Sequence, residues 1–481
     1  MTVNTLPDDI FLEIFAFYLS SYYSPFDRHN YWHPLEHTTA WQRLVHVCQR
    51  WRDIIYGSPR YLDLHLHCSQ ETPFRKNLNC WPEFPLTLEY VIDPNDDDDD
   101  VVAALKHSDR VHRAILIAGY DSSVVGDMLE ELQVPFPALT HLDFIGPEPK
   151  DEVYDEFFLP DDSLGGSTPC LQHLRLQEIS FSALPKLLLS TRDLVSLELQ
   201  RGDPRAYLGY VSPEAMVGGL AGLTKLRTLR ITSDFPENPL YSDEQIENLK
   251  RRPSNIPIRA LLPALNEFVF RGSSWYSEGL VAQIDAPHVK VINFDYISSE
   301  IEASQLSQFI GRTTTFKFAQ FRRAHLSAYK VAYFELDRPQ GECRQLLFQL
   351  TVSPLDDEFD HLVPCMTRAL RQLGAMLSDV GQLAVKDAEQ EKKYYLDNNQ
   401  WLPLLHLFPA VEALHVTGWV AGYIAEELQD VAEDRVTEVL PALHSLWLGS
   451  GAELAESRFL SLRQLSGRPV TVVDIQDQFD W

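Results

Sequence analysis

The sequence contains no Cys-x-x-Cys pair, no run of 18 or more apolar residues and no Asn-x-Ser/Thr sequon, and it sets only 41 basic side chains against 69 acidic ones. Each absence excludes something. Without a long apolar run there is no candidate membrane span. Without spaced cysteine pairs there is no zinc ribbon or redox dithiol, and the six cysteines (48, 68, 80, 170, 343 and 365) read as reduced thiols, several inside apolar stretches where a free thiol acts as a small hydrophobe. A net charge of −28 makes nucleic acid an unfavourable partner, because a phosphate backbone would meet a repulsive field. The first charges are Asp8 and Asp9, not a basic leader, so no secretory or transit peptide is expected and the expected location is cytoplasmic or nuclear.

Catalytic spacings are missing as well. There is no G-x-S-x-G, H-E-x-x-H, P-loop, or G-x-G-x-x-G after a strand, so no residue is offered as catalytic and none as cofactor-binding. Two histidine sets could be weighed as metal ligands: His29, His33 and His37, and His65, His67 with Cys68. Pro34 interrupts any helix that would align the first, and the second alternates with leucines as the polar side of a strand does, so no metal is expected. Asp96 to Asp100 are five consecutive aspartates, which repel one another and lack the spacing of a calcium loop; they read as a solvated loop. Acidic stretches also fall at 151–162 and 356–360.

With 45% hydrophobic residues over 481 positions, the chain can bury a large core or an elongated array. Its front is unusually apolar. Leu6-Pro7-Asp8-Asp9 starts a helix, with proline in the first turn and carboxylates beside the exposed amide hydrogens. The helix runs to about Leu19, and Ile10, Phe11, Ile14, Phe15 and Tyr18 line one face while Leu12, Phe17 and Leu19 occupy others. Such a helix needs covers on more than one side. A second helix is expected from about Thr39 to Tyr56, with Leu44, Val47, Cys48, Trp51, Ile54 and Ile55 on one stripe, closed by Gly57-Ser58-Pro59. After it Leu62, Leu64 and Leu66 alternate with Tyr61, Asp63 and His65 at strand period. Residues 20–40 between the helices carry Tyr22, Tyr23, Phe26, Tyr31 and Trp32, too aromatic for a solvated linker.

The paired blocks "LPDDIFLEIF" and "LVHVCQRWRDII" resemble an F-box, over about an eighth of the chain, although residues 20–40 are a longer insert than that family's connection. The resemblance implies a three-helix domain over 1–60 that docks on a Skp adaptor, and through it on a cullin ubiquitin ligase. The adaptor-facing residues would be Leu6, Pro7, Ile10, Ile14, Phe15, Leu44, Val47 and Trp51. The other reading of this piece is a helical cap on a repeat array.

Behind it one phrase recurs: "PALTHLDF" (137–144), "PCLQHLRL" (169–176), "RDLVSLEL" (192–199), "TKLRTLRI" (224–231), "PALNEFVF" (263–270), "PHVKVINF" (287–294), "PAVEALHV" (409–416) and "PALHSLWL" (441–448). The rule is apolar-x-x-apolar-x-apolar. Its first positions, Leu139, Leu171, Leu194, Leu226, Leu265 and Val289, lie 32, 23, 32, 39 and 24 residues apart, and Val411 and Leu443 lie 32 apart. Stacked, these short strands make a parallel sheet whose buried face is covered by intervening helices or irregular turns, such as Ile179, Phe181, Leu184, Leu187 and Leu188 supply. The chain therefore resembles a leucine-rich-repeat protein, with an irregular α/β solenoid over 61–481 whose repeats diverge at about 298–400. In the divergent part Phe316-x-Phe318, Val331 to Leu336 and Leu346 to Val352 read as strands, and Met366, Leu370, Leu373, Leu377 and Val380 as one helical face.

Between the two strand leucines of each phrase stand Asp143, Arg175, Glu198, Arg230, Val269, Asn293, His415 and Trp447. The first four alternate in sign, the pattern of cross-strand ion pairs. Val269, Arg271, Asn293, His415 and Trp447 are the candidates for holding a target protein, with tryptophan the natural anchor. Together the two resemblances imply a substrate receptor of an SCF-type ubiquitin ligase that catalyses nothing itself. The alternative is a repeat scaffold or recognition protein outside any ligase.

Overall fold

The computed structural model describes residues 6–20, 40–78, 80–92, 99–118, 123–147, 157–201, 211–233, 259–297, 301–317, 323–328, 332–340, 343–353, 362–386, 401–418, 420–431, 435–449 and 458–475. The 20–40 insert lies largely outside them, as do His29, His33 and His37 and most of the acidic stretches. Sixteen strands belong to a large, mostly parallel sheet that does not close, and helices accompany it. The chain divides into two compact units, residues 1–198 with 206–211, and residues 199–205 with 212–481.

The first unit begins with helices α1 (Asp8–Ser20), α2 (Ala40–Val45) and α3 (Gln49–Gly57). The single helix expected over 39–56 is therefore two, broken at His46 to Cys48. Arg52 Nε donates to the Val45 carbonyl at 3.1 Å and so satisfies an acceptor that a continuing helix would have used. The strand expected over residues 61–66 is mostly turn: Asp63 adopts φ +50°, which strand geometry forbids, and the strand β1 spans only Leu66–Cys68. Leu62, Leu64 and Leu66 are nonetheless all buried.

Strands β2 (Leu86–Ile92), β3 (Val111–Ala118), β4 (His141–Ile145) and β5 (His173–Gln177) follow β1 in parallel, in sequence order. Asp100, last of the five aspartates, is no mere solvated charge. Its carboxylate accepts from the backbone N–H groups of Phe74 and Arg75 at 2.5 and 3.1 Å and from the Tyr90 hydroxyl at 2.8 Å, closing the start of the short helix Phe74–Leu78.

Strand β6 (Ser196–Arg201) falls at the division between the units. In the second unit the strands are β7 (Thr228–Ser233), β9 (Glu267–Gly272), β11 (Val291–Tyr296), β12 (Arg323–Ala328), β13 (Ala332–Gln340), β14 (Cys343–Val352), β15 (Gln382–Lys386), β16 (Ala413–Thr417), β17 (Ser445–Gly449) and β18 (Thr471–Ile475), with a separate short pair, β8 (Ala260–Leu261) and β10 (Ile284–Asp285). Their spatial order is β7-β9-β11-β14-β13-β12-β15-β16-β17-β18.

Residues 323–352 thus do not continue the parallel pattern as divergent repeats. They form an antiparallel meander, β14-β13-β12, which rejoins the parallel order at β15. Only two residues separate β13 from β14 in the sequence, too few to cross back over a sheet, so antiparallel pairing is the geometry left. Phe316, expected in a strand, lies in the helix Thr314–Lys317, and Phe318 is outside the described residues.

All eight phrases form strands, and the physical role of each position is visible. The first apolar residue is buried and closes a turn: Leu139, Leu171, Leu194, Leu226, Leu265, Val289, Val411 and Leu443 each donate a backbone N–H to the carbonyl three residues earlier, at 3.0–3.4 Å. The two strand residues, such as Leu142 and Phe144, Phe268 and Phe270, or Leu446 and Leu448, then point into the core, where each contributes about 1.5–3 kcal/mol of burial. Helices cover that side. Met366, Leu370, Leu373, Leu377 and Val380 are all buried, but the one helix expected there is two, Leu362–Gln372 and Gly374–Leu377, with Leu373 at the break and Val380 beyond the second. Two helices approach closely at Gly279, where an added Cβ would lie 2.9 Å from the Pro213 ring.

Candidate functional site

In the front helices two apolar stripes share α1. Phe11, Phe15 and Leu19 turn inward, and the Phe11 and Phe15 rings lie 5.9 and 4.8 Å from Trp51 on α3 in edge-to-face contact. Arg50 fixes the start of the helix: it pairs with Asp8 at 2.6 Å, donates to the Leu6 carbonyl at 2.6 Å and lies over the Phe11 ring. The second stripe faces out, with Ile10 45%, Ile14 46% and Phe17 78% exposed, and Val47, in the turn between α2 and α3, is 57% exposed.

Of the residues expected to face an adaptor, Pro7, Ile10, Ile14 and Val47 are exposed, and Leu6 and Trp51 are half-buried. Phe15 and Leu44 are buried and hold the helices together instead; four-residue spacing put Phe15 beside Phe11 on the inner stripe. Phe17 was the residue sequence reasoning left out of the surface. Its signal was there, three residues from Ile14 and seven from Ile10.

On the sheet of the second unit the five target-binding candidates fall into two groups. Val269 lies opposite Asn293 in register, between β7 and β11, and ion pairs flank it: Arg230 with Glu267 at 2.8 Å and Arg271 with Asp295 at 3.6 Å. Arg230 thus pairs with the next strand of its own unit. Asp143 and Arg175 in the first unit do pair as their alternating signs indicate, at 3.6 Å, and burial raises the Asp143 pKa. Around Val269 the face is dominated by charge pairing.

The second group is a platform. His415 and Trp447 are register partners on β16 and β17, and their rings stack 5.2 Å apart at 15°. A cavity of about 380 Å³ adjoins them, lined also by Arg323, Gln382, Glu412 and His444, and a second hollow of about 660 Å³ extends it toward Asp379 and Ala410. Arg323 Nε donates to Gln382 at 3.1 Å. Burial, then the Arg323 charge, lowers the His415 pKa to about 4, so the imidazole is neutral near pH 7 and stacks without a desolvated charge. His415 is itself buried, not exposed as its place on the sheet face suggests, so the platform offers the half-buried Trp447 face backed by His415 and bordered by one guanidinium and two carboxylates, a setting for a protein side chain or loop.

Four strands lie between β11 and β16, so the two groups stand about 24 Å apart at the usual strand spacing. The sequence named the platform's aromatic floor and missed its rim. Arg323 sits in the stretch whose repeat phrase is lost, which hid it.

Among the described residues no group of three or more His, Cys, Asp or Glu side chains could hold a metal ion. No described helix is long and apolar enough to cross a membrane. Cys48, Cys68, Cys80, Cys170 and Cys365 are free thiols, and burial pushes Cys68 up to about 11, which keeps it protonated. No protein-family model matches the chain, and no curated protein matches it.

Proposed function

We propose that the chain is a substrate-recognition subunit of an SCF-type ubiquitin ligase, with the front helices as an F-box that binds a Skp adaptor and the repeat sheet as the surface that holds a target protein. The observation that carries this reading is the outward stripe of Ile10, Ile14 and Phe17 with Val47 beside it, left exposed on helices whose inner side is already filled by Phe11, Phe15 and Trp51. A helix that has completed its own core and still presents isoleucine and phenylalanine to solvent fits a docking role. The His415–Trp447 platform is the favoured target site, because a stacked tryptophan beside a cavity offers the buried anchor that interfaces concentrate their energy on. Such a subunit works by proximity, raising the effective concentration of target lysines near the transfer machinery.

The second reading is a repeat scaffold whose front helices only cap the array. One observation favours it. Trp41 on α2 donates its indole N–H to the His65 carbonyl at 3.1 Å and packs edge-on against Trp81 and Phe84, so the front piece does cover the sheet's first strands. Affinity purification of the full chain separates the two. Co-purification of a Skp adaptor and a cullin, lost in an Ile10→Asp/Ile14→Asp variant that still folds, supports the ligase subunit; recovery of neither partner by the unmodified chain leaves the scaffold.

A further inference from the structure

Four histidines stand side by side near the starts of β1, β3, β4 and β5 in the first unit, with β2 between the first two strands. His65 precedes β1, His112 is the second residue of β3, and His141 and His173 begin β4 and β5. The His65 and His112 ring centroids are 4.8 Å apart, and His141 and His173 stack at 4.3 Å, their planes within 13°. Thr140 joins the pairs, its hydroxyl 3.4 Å from His112 Nδ1 and 2.8 Å from His141 Nδ1. Four rings and one hydroxyl form a continuous row.

The row is tied to the front helices through residues 61–65. The Tyr61 hydroxyl donates to Glu13 of α1 at 2.5 Å, and the His65 carbonyl accepts the Trp41 indole N–H of α2. We propose that the histidine row is an acid-sensitive latch: while its imidazoles are neutral it holds residues 61–65, and with them α1 and α2, against the sheet, and protonation releases them. The latch is independent of what α1 binds.

The charges around the row decide its direction. Burial is the first cause depressing His112, His141 and His173, His141 to about 3; the neighbouring imidazoles and the Arg113 guanidinium of β3 add to it. Against them act Asp63, which lies 3.0 Å from His65 but is mostly exposed, and Glu198 of β6, which favours the charged form of His173. Glu89 of β2 faces His67 at 3.8 Å, and Asp143 and Arg175, one step further along β4 and β5, pair with each other. In the closed row His112, His141 and His173 therefore resist protons, and two stacked imidazolium rings 4.3 Å apart would repel. An opened row titrates near the ordinary histidine value of about 6.5. As pH falls below that value the open state takes up protons that the closed state refuses, so opening rises up to about tenfold per pH unit for each histidine involved.

Hydrogen exchange on the full chain at about pH 7 and about pH 5, corrected for intrinsic rates, tests this across the histidine range. We expect residues 8–20 and 40–57 to open with the starts of β3, β4 and β5, and to do so more steeply with falling pH, by up to about tenfold per pH unit for each histidine replaced, than in a His141→Phe/His173→Phe variant, which keeps stacked rings but cannot titrate there. Equal pH slopes in the two proteins would overturn the latch, as would opening of the strands with α1 and α2 unchanged. Should the double variant not fold, the single His173→Phe decides: it keeps a ring stacked on His141, removes one titrating group and should lower the slope, and an unchanged slope overturns the proposal.

Discussion

The outward stripe on α1 makes a quantitative distinction between surface and core. Ile10 and Ile14 are 45% and 46% exposed, so truncating both to alanine removes side chains that leave nearly half their surface in water. A fully buried isoleucine costs about 2–5 kcal/mol on truncation, and here the half-exposed geometry brings the loss to about 1 kcal/mol each. Phe15, next in sequence to Ile14, is 0% exposed with its ring 4.8 Å from Trp51, and Phe15→Ala should cost about 3–5 kcal/mol. A chain of two compact units does not unfold in one step, so the readout is the exchange-derived opening free energy of residues 8–20 rather than a single melting point. Binding should rank the other way. An anchor isoleucine at the centre of an interface is worth about 1–2 kcal/mol, so Ile10→Ala/Ile14→Ala should weaken a Skp adaptor by about 30- to 1000-fold in calorimetric titration. The reasoning fails if the isoleucine pair destabilises α1 as much as Phe15→Ala does, or if adaptor affinity is indifferent to it.

Three further outcomes follow from the second unit and from buried groups. Glu278, itself buried, accepts from Ser304 Oγ and from the backbone N–H groups of Gln305 and Leu306 at 3.0, 2.6 and 2.8 Å, so Glu278→Ala should lose about 3 kcal/mol of local stability at the helix Ser304–Arg312, measurable by exchange, and Glu278→Gln less. His67 is buried, and burial lowers its pKa to about 4; its neutral form is the folded form, so stability is complete above about pH 6.5 and falls as pH drops toward 4, by up to about 3 kcal/mol, a loss that His67→Phe should remove from a denaturation series. Trp447→Ala should leave adaptor capture intact while abolishing recovery of the target in cross-linking from cells, and Val269→Ala should leave both intact, because Val269 sits among ion pairs.

The strands were legible because each phrase carries two independent instructions. The alternating pair Leu446 and Leu448 specifies the strand, and Leu443 three residues earlier specifies the turn that enters it, which the Leu443 N–H to Leu440 carbonyl bond at 3.0 Å completes. Where an instruction comes from elsewhere in the chain, local reading failed. Nothing in "LVHVCQ" ends a helix, and the break there relies on Arg52 reaching back to the Val45 carbonyl. The meander at residues 323–352 was readable as strands but not as antiparallel, since periodicity records burial and carries no direction; only the two-residue spacing between β13 and β14 did.

The front helix shows why a candidate site is harder to read than a core. In α1 the stripes Ile10, Ile14, Phe17 and Phe11, Phe15, Leu19 are equally apolar, and sequence alone gives no reason to choose which one faces inward. Trp51 makes the choice by filling the space against Phe11 and Phe15. Once one stripe is spent on the core, the other has to be explained. A cap requires only the inner stripe and would gain solubility from lysine or glutamate at positions 10, 14 and 17. A docking helix requires both. Ile14→Lys is therefore close to neutral for a cap and severe for a docking surface, where it would place a desolvated ammonium at an apolar interface. Full growth and full adaptor occupancy in cells carrying Ile14→Lys would assign the outer stripe no role in docking, whatever its likeness to an F-box.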